Sequence, residues 1–246
     1  MNQLRFGKHP AKSDYRTLRF QDFLLPDLPA PPPSFDALPR VFTGTNNNDV
    51  ATLFPMDGND RYGDCTIAAL AHAITVYNGY VGRKKILGSQ KVVKLYFKLT
   101  NGVDSRLNEL DVLNYWQSNK VDGEKIGAFV RIAPGNTTHV QQAIQLFGGV
   151  YLGFQVQENC QEEFNAGQPW TPGPLTNDGH AVYAVGYDEE GVNVLTWGAT
   201  QKATWAWWAE CVDEAYAILS AEALDTGFAP GFNSAALADA LKAVAD

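Results

Sequence analysis

The segment CTIAALAHAITVY, which runs from Cys65 to about Tyr77, is small or apolar at almost every position and lacks glycine and proline. A surface helix has one polar face, whereas a helix that is apolar on most sides is buried. The segment therefore predicts a central helix that crosses the middle of a domain. A chain of 246 residues can cover such a helix, either as one large domain or as two smaller lobes.

The periodicity of the chain changes after residue 148. Before it, further helices are predicted at 91–100, 108–119 and 137–148, the last with a threonine cap and a stop at Gly148. After it, the segments GVYLGFQV, HAVYAVGYD, VNVLTWG and EAYAILS are short and rich in valine, tyrosine and alanine, which is typical of antiparallel strands. Helices followed by strands predict an α+β fold, with a helical lobe at about 59–147 and a β lobe at about 148–225.

The two ends of the chain differ from this domain, which we place at 35–225. Residues 1–34 end in the proline run PAPPP, which can neither pair as a central strand nor continue a helix. They are predicted to form an extended N-terminal arm, which could lie across a cleft or strap the two lobes together. The tail, residues 226–246, is predicted to contain a short amphipathic helix.

Composition narrows the classes of partner. The chain has 19 basic and 27 acidic residues, a net charge of −8. This balance argues against binding to nucleic acid or to an anionic membrane, because both require clustered lysine and arginine. No segment resembles a secretion signal, and no apolar run reaches the ~18 residues of a membrane span. We therefore expect a cytoplasmic protein.

Three cysteines are present, Cys65, Cys160 and Cys211, and none has the CxxC spacing of a zinc or redox motif. No metal or other cofactor is therefore expected. A disulfide between Cys160 and Cys211 is an alternative in an oxidising compartment, but the expected reducing location favours free thiols.

Cys65 begins the predicted central helix, directly after a Gly-Asp pair. The N–H groups and dipole at a helix N-terminus stabilise a thiolate, so this position suits a nucleophile. Its base is expected to be a histidine distant in sequence, and His180 opens an apolar strand after a loop. His72 lies about 10 Å along the same helix, too far for a hydrogen bond. The alternative is that Cys65 is a structural core residue, because free cysteine is often buried.

Three motifs in the correct order resemble those of the papain-like cysteine peptidases. NDRYGDC is similar to the family's nucleophile motif, HAVYAVGY to its histidine strand, and LTWG to its N-S-W-G segment. The resemblance spans about residues 30–220 and is greatest to divergent members from bacteria and phages. It implies a two-lobe fold, with a helical first half around the central helix and an antiparallel, barrel-like β lobe. It also implies a peptide or protein substrate and no cofactor.

The resemblance also implies roles for individual residues. Cys65 is the expected nucleophile, His180 its base, and Asn59 stands where the family has its oxyanion-hole glutamine. Trp197 is expected to shield the histidine from water. The aromatic segment that follows, WGATQKATWAWW, is interpreted as core packing at strand spacing.

One departure from the family affects the histidine. Leu195 replaces the asparagine that orients the base, and leucine makes no hydrogen bond. Asn193, two residues earlier on the same strand face, or Asp178 beside the histidine, could compensate. Alternatively, a Cys–His pair acts alone.

Three functions remain open at this point. The first is a cysteine-dependent hydrolase, a peptidase or amidase that uses Cys65 and His180. The second is a catalytically inactive papain-fold module with a binding or structural role, which the changes at Asn59 and Leu195 motivate. The third is an acyl transferase that uses the same pair to transfer an acyl group to an amine.

Overall fold

The computed structural model describes residues 4–220 and 231–245, and in it most helices precede most strands. The helices are α1 (Leu38–Thr45), α2 (Val50–Leu53), α3 (Cys65–Tyr80), α4 (Ser89–Leu99), α5 (Glu109–Ser118), α6 (Thr137–Phe147), α7 (Cys160–Asn165), α8 (Trp205–Cys211) and α9 (Ser234–Ala245). The strands are β1 (Phe35–Asp36), β2 (Ile126–Ile132), β3 (Val150–Gln157), β4 (Leu175–Tyr187), β5 (Gly191–Thr196), β6 (Ala199–Thr204) and β7 (Val212–Ser220). The predicted α+β fold, with a helical first half and a sheet in the second half, is confirmed.

The strands form one antiparallel sheet in the order β2-β7-β3-β4-β5-β6, and β1 adds a short pairing with the end of β4. The antiparallel pairing predicted from the sequence is therefore present. β4 begins at Leu175, earlier than predicted, because its first residues pair with the end of β3. His180 consequently lies within the strand rather than at its start. Strand β2 was not predicted, and β6 lies within the segment WGATQKATWAWW that was interpreted at strand spacing.

The two faces of this sheet carry two different cores, because successive side chains of a strand point in opposite directions. On β4, Ala181, Tyr183 and Val185 pack on the side of α3. Val182 and Ala184 pack on the other side, with α6 and the tryptophans of the second half. A strand buried on both faces is apolar along its length, which is why HAVYAVGY carries no polar residue after its histidine.

Helix α3 crosses the first of these cores. Almost all of its side chains are buried, as its sequence predicts. Its first turn is tied to the sheet because the hydroxyl of Tyr151 donates to the carbonyl oxygen of Thr66 at 2.8 Å. His72 is buried in the same helix, with Nε2 3.1 Å from the carbonyl oxygen of Pro55, which agrees with its predicted packing role.

Two local predictions were wrong. The segment WAWWAEC forms helix α8 rather than a strand, because the side chain of Thr204 accepts a hydrogen bond from the backbone N–H of Trp207 and caps the helix. Trp207 is nevertheless buried, as the core interpretation expects, whereas Trp205 is only partly buried against the same core. Helix α6 is capped by Asn136 instead of a threonine, and it ends at Gly148 as predicted.

The N-terminal arm is part of the folded structure. A short 3-10 turn at Phe20–Phe23 inserts two buried phenylalanines beside Phe147 and Phe232, against the base of α9. The arm thus links the sheet to the C-terminal helix. The predicted boundary between the domain and the tail, at 225–226, lies outside the described residues.

Within the described ranges, no helix is both long enough and apolar enough to span a bilayer. Cys65, Cys160 and Cys211 are all free thiols, and all three are buried.

The burial of α3 predicts a large cost for truncating it. Ile74 has no exposed surface, so Ile74→Ala should lower the free energy of unfolding by about 2–5 kcal/mol through lost burial and the cavity left behind. Val103 is 61% exposed, and Val103→Ala should change it by less than about 0.5 kcal/mol. Urea unfolding followed by tryptophan fluorescence measures both. Equal effects of the two variants would contradict the central position of α3.

Candidate active site

Cys65 is the first residue of α3 and is 1% exposed. The backbone N–H groups of Ala181 and Gly7 face its thiol. Burial raises the pKa of the thiol to about 12, and this effect outweighs the two N–H groups, which lower it. In this state the sulfur is therefore a neutral thiol, although the helix start and the two donors are suited to holding a thiolate.

The carboxyl group of Asp64 lies directly before the thiol, at the helix cap. It has no exposed surface, and burial raises its pKa to about 8. Most of this carboxyl is protonated near neutral pH, so it adds little negative charge beside Cys65. No role was predicted for Asp64 from the sequence, and its burial could not be predicted from the motif.

His180 lies on β4, directly before the residue whose N–H faces Cys65. Its ring stacks on Trp197, with centroids 4.5 Å apart, and meets the edge of Phe154 at 5.6 Å. Burial lowers the pKa of His180 to about 3, so the imidazole is neutral. Trp197 thus lies where the sequence predicts it to shield the histidine.

The partner of His180 is a residue that sequence reasoning missed. Nε2 of His180 lies 2.9 Å from the hydroxyl oxygen of Thr196. Because strand side chains alternate, Thr196 shares a face of β5 with Val194, while Leu195 and Asn193 point to the opposite side. Leu195 is buried against the helical lobe, so the predicted substitute Asn193 is placed away from the imidazole. The available signal was the hydroxyl directly before Trp197.

Asp178, two residues before the histidine, is paired with another group. Its carboxylate forms an ion pair with Arg106, and the same guanidinium donates to the carbonyl oxygen of Asn177 at 3.0 Å. The other imidazole nitrogen, Nδ1 of His180, is buried and has no hydrogen-bond partner among the described residues. That nitrogen is the one available to exchange a proton with a reacting group.

The turn between β5 and β6 fixes the tryptophan over the histidine. Thr196 pairs with Ala199, which leaves Trp197 and Gly198 as the two loop residues. Both have positive φ, 46° and 78°, as a tight type I′ hairpin requires. A tryptophan rarely adopts such a backbone, so the packing of its ring on His180 and Phe164 has to hold it there.

Asn59 lies in the loop before α3 and is 2% exposed. Its side-chain amide donates to the carbonyl oxygen of Arg5 at 3.3 Å and to that of Tyr62 at 3.2 Å. The backbone N–H of Arg5 in turn donates to the carbonyl oxygen of Asn59 at 3.1 Å. The amide of Asn59 therefore donates to a peptide carbonyl of the N-terminal arm.

The arm passes directly over Cys65 as an extended strand. The backbone N–H of Leu107 donates to the carbonyl oxygen of Gly7 at 3.0 Å, and the N–H of Lys8 donates to that of Gly179 at 3.0 Å. Phe6 packs edge-on against the ring of His180 at 5.6 Å. Residues of the arm are thus hydrogen-bonded to the helical lobe on one side and to β4 on the other.

The approach of the arm is close enough to exclude water from the thiol. A Cβ atom added to Gly7 would lie 1.8 Å from the carbonyl oxygen of Gly63, so only glycine fits at this point. The arm therefore covers the cleft between the two lobes, and Cys65 and His180 are both buried beneath it. Within the described residues, no group of three or more potential ligands is arranged to hold a metal ion.

Comparison with known proteins identifies the architecture. No family model matches the sequence, and no curated protein is significantly similar to it. Xylellain, a cysteine protease from Xylella fastidiosa, is similar in structure with a TM-score of 0.64 and 18% identity, over 89% of this chain and 98% of that one. ProCathepsin B S9 from Trypanosoma congolense is similar with a TM-score of 0.58 and 11% identity, over 86% of each chain.

These similarities cover 89% and 86% of this chain and so extend over both lobes. This chain therefore has the two-lobe fold of the papain-like cysteine proteases, in a divergent form.

Proposed function

We propose that this protein is a latent cysteine peptidase in which Cys65 is the nucleophile and His180 its base. The observation that carries the proposal is the arm itself. A stretch of polypeptide lies in extended form over Cys65 and is bound on both sides through its backbone. Main-chain hydrogen bonds of this kind bind any extended peptide, so the cleft can accept a polypeptide substrate once the arm leaves.

The surroundings of the pair support a defined sequence of steps. The sulfur of Cys65 forms a bond to the carbonyl carbon of the scissile peptide while His180 accepts the thiol proton. His180 then gives this proton to the departing amine as the C–N bond breaks, which leaves a thioester. Water, deprotonated by the same imidazole, attacks the thioester, releases the carboxylic acid and restores the thiol.

Two further groups assist these steps in the proposed mechanism. Asn59 already donates its amide to a peptide carbonyl in the cleft, and with the backbone N–H of Cys65 it supplies donors for the oxyanion. Thr196 acts as a positioning residue: when Nε2 carries a proton in the imidazolium, the hydroxyl oxygen of Thr196 accepts it as a hydrogen bond and fixes the ring.

The seated arm keeps the pair uncharged. Burial raises the pKa of Cys65 to about 12 and lowers that of His180 to about 3, so a thiolate–imidazolium pair is disfavoured while the cleft is covered. Displacement of the arm readmits water and removes the main cause of both shifts. Activity is therefore coupled to opening of the arm.

The same burial favours a second candidate, a papain-fold module without turnover. A neutral Cys65 beneath a fixed arm is what a structural role would also require. In the peptidase, displacement of the arm should make the Cys65 thiol reactive. In the structural module, it should not.

Gly7→Ala should activate Cys65. The added methyl group collides with the backbone of Gly63, and overpacking of this kind costs about 1–3 kcal/mol, which corresponds to a roughly 5- to 150-fold larger open fraction. Carbamidomethylation of Cys65 by iodoacetamide at pH 7, mapped by mass spectrometry, should accelerate by that factor. Lys12→Ala, a change at an exposed arm residue, is the matched control and should leave the rate unchanged.

His180→Ala in the Gly7→Ala chain should remove the advantage of Cys65 over Cys160 and Cys211, since no imidazolium then stabilises the thiolate. Gly7→Ala alone should also digest casein, and its Cys65→Ala derivative should not. If all three thiols of the Gly7→Ala variant react equally slowly with iodoacetamide, this result contradicts the proposed peptidase function and favours the structural module.

Thr196→Val in the Gly7→Ala chain should lower kcat/KM on casein-derived peptides by roughly 10- to 100-fold, because a bond to a charged imidazolium is lost. Without this acceptor the histidine pKa falls, so the alkaline limb of the pH profile should move to lower pH. Thr196→Ser keeps the hydroxyl and should restore both readouts. An unchanged profile in the valine variant would assign Thr196 a packing role only.

A further inference from the structure

We propose that Glu109, Asp213 and Glu214 form a specificity subsite for the side chain of a substrate lysine or arginine, and that Lys8 of the arm occupies it. This inference rests on the proposed peptidase function and goes beyond it by naming the substrate class. Its starting point is an unusual burial, since lysine is almost never fully buried unless it is paired.

The side chain of Lys8 has no exposed surface. Its Nζ lies 2.9 Å from Oδ2 of Asp213, 3.0 Å from Oε1 of Glu214 and 3.0 Å from the carbonyl oxygen of His9. Burial lowers the pKa of Lys8, but the three carboxylates outweigh it and raise the pKa above its usual value. The ammonium group therefore stays charged in the pocket.

Glu214 is held in place by a group other than the lysine. The hydroxyl of Tyr216 donates to Oε2 of Glu214 at 2.9 Å, which leaves Oε1 turned toward Lys8. Glu109 and Glu214 are both fully buried, and burial raises the pKa of each. Three acidic groups thus surround a single ammonium, and only Asp213 and Glu214 lie within ion-pair distance of its nitrogen.

Glu109 is the clearest sign that the site is built for a larger cation. Both of its carboxyl oxygens are buried and lack a hydrogen-bond partner among the described residues. They border the space that Lys8 fills, because a Cβ atom on Gly153 would lie 2.7 Å from Oε1 of Glu109 and 1.9 Å from Cε of Lys8. A guanidinium has five donors in a fork, enough to reach oxygens that an ammonium leaves unpaired.

The subsite lies beside the reacting centre. Lys8 follows Gly7, whose N–H faces the Cys65 thiol, and the backbone of Lys8 bonds to Gly179 immediately before His180. A surface cavity of about 160 Å³ reaches Lys8 and Asp213. When the arm leaves, a substrate side chain next to the scissile bond can therefore enter the pocket. Solvent can reach the pocket through the surface cavity before the substrate binds.

The position of Gly153 indicates that the pocket selects substrate side chains by their length as well as by their charge. Any side chain at this point of β3 would fill the space that the stem of Lys8 occupies. The pocket is thus long and narrow, with a glycine wall, and it ends in carboxylates. Such a shape fits the extended stems of lysine and arginine and leaves buried carboxylates unpaired with a neutral side chain, which is costly.

The test uses the full-length chain carrying Lys8→Ala, which empties the pocket. Biotinylated dipeptidyl acyloxymethyl ketones, which alkylate an active cysteine, carry either arginine or citrulline, its uncharged near-isostere, at the first or the second residue from the ketone. At one of the two positions, the arginine probe should label Cys65 at least tenfold faster than the citrulline probe. Lys12→Ala is the matched control, because it leaves the pocket filled and should be labelled slowly by both probes.

Carboxylate variants in the Lys8→Ala chain locate the effect. Glu214→Gln should reduce the ratio of arginine to citrulline labelling at least threefold, while Asp111→Asn, which alters an exposed carboxylate, should leave it unchanged. Near-ultraviolet circular dichroism shows whether Glu214→Gln folds. If it does not, the ratio of arginine to citrulline labelling in the Lys8→Ala chain, whose carboxylates are all native, still tests the subsite.

Equal labelling by arginine and citrulline probes at both positions overturns the subsite, provided that iodoacetamide still labels Cys65 ahead of Cys160 and Cys211. That result leaves the peptidase function standing. Absence of any iodoacetamide preference for Cys65 instead overturns the proposed function, and the subsite with it.

Discussion

The packing of helix α3 against strand β4 is the constraint on which the rest of the structure depends. The helix is buried on nearly all sides, so the sheet has to cover it, and β4 presents Ala181, Tyr183 and Val185 for this purpose. The same contact sets the chemistry, because the start of the helix is Cys65 and the residue beside Ala181 is His180. A shift along this interface would move Cys65 away from the backbone N–H of Ala181 and leave apolar surface uncovered.

The N-terminal arm uses the cleft that this packing creates. Its hydrogen bonds to Leu107 and Gly179 satisfy backbone groups of both lobes, and its phenylalanines complete the core near α9. The arm therefore stabilises the fold and covers the thiol at the same time. Burial disfavours the charged forms of Cys65 and His180, so both groups are neutral while the arm covers them.

The buried lysine explains how such an arm is held. Lys8 places its charge among Glu109, Asp213 and Glu214, and removal of the lysine would leave the buried Glu109 and Glu214 without a counter-charge. The groups proposed to select a basic substrate are thus the groups that retain the arm. A basic peptide and the arm would compete for one pocket, which links specificity to release from the covered state.

The sequence alone determined the buried central helix and the change from helices to antiparallel strands, because these follow from local periodicity. The papain-like fold and the roles expected of Cys65, His180 and Trp197 follow from the resemblance of short motifs to those of that family. Only the tertiary structure decided that Thr196 contacts His180, that WAWW is helical, and that Lys8 lies among Glu109, Asp213 and Glu214. These depend on which face of a strand a residue occupies, on a cap, and on charges joined across more than a hundred residues. Burial, which sets the charge state of the site, is a property of packing and is not carried by any motif.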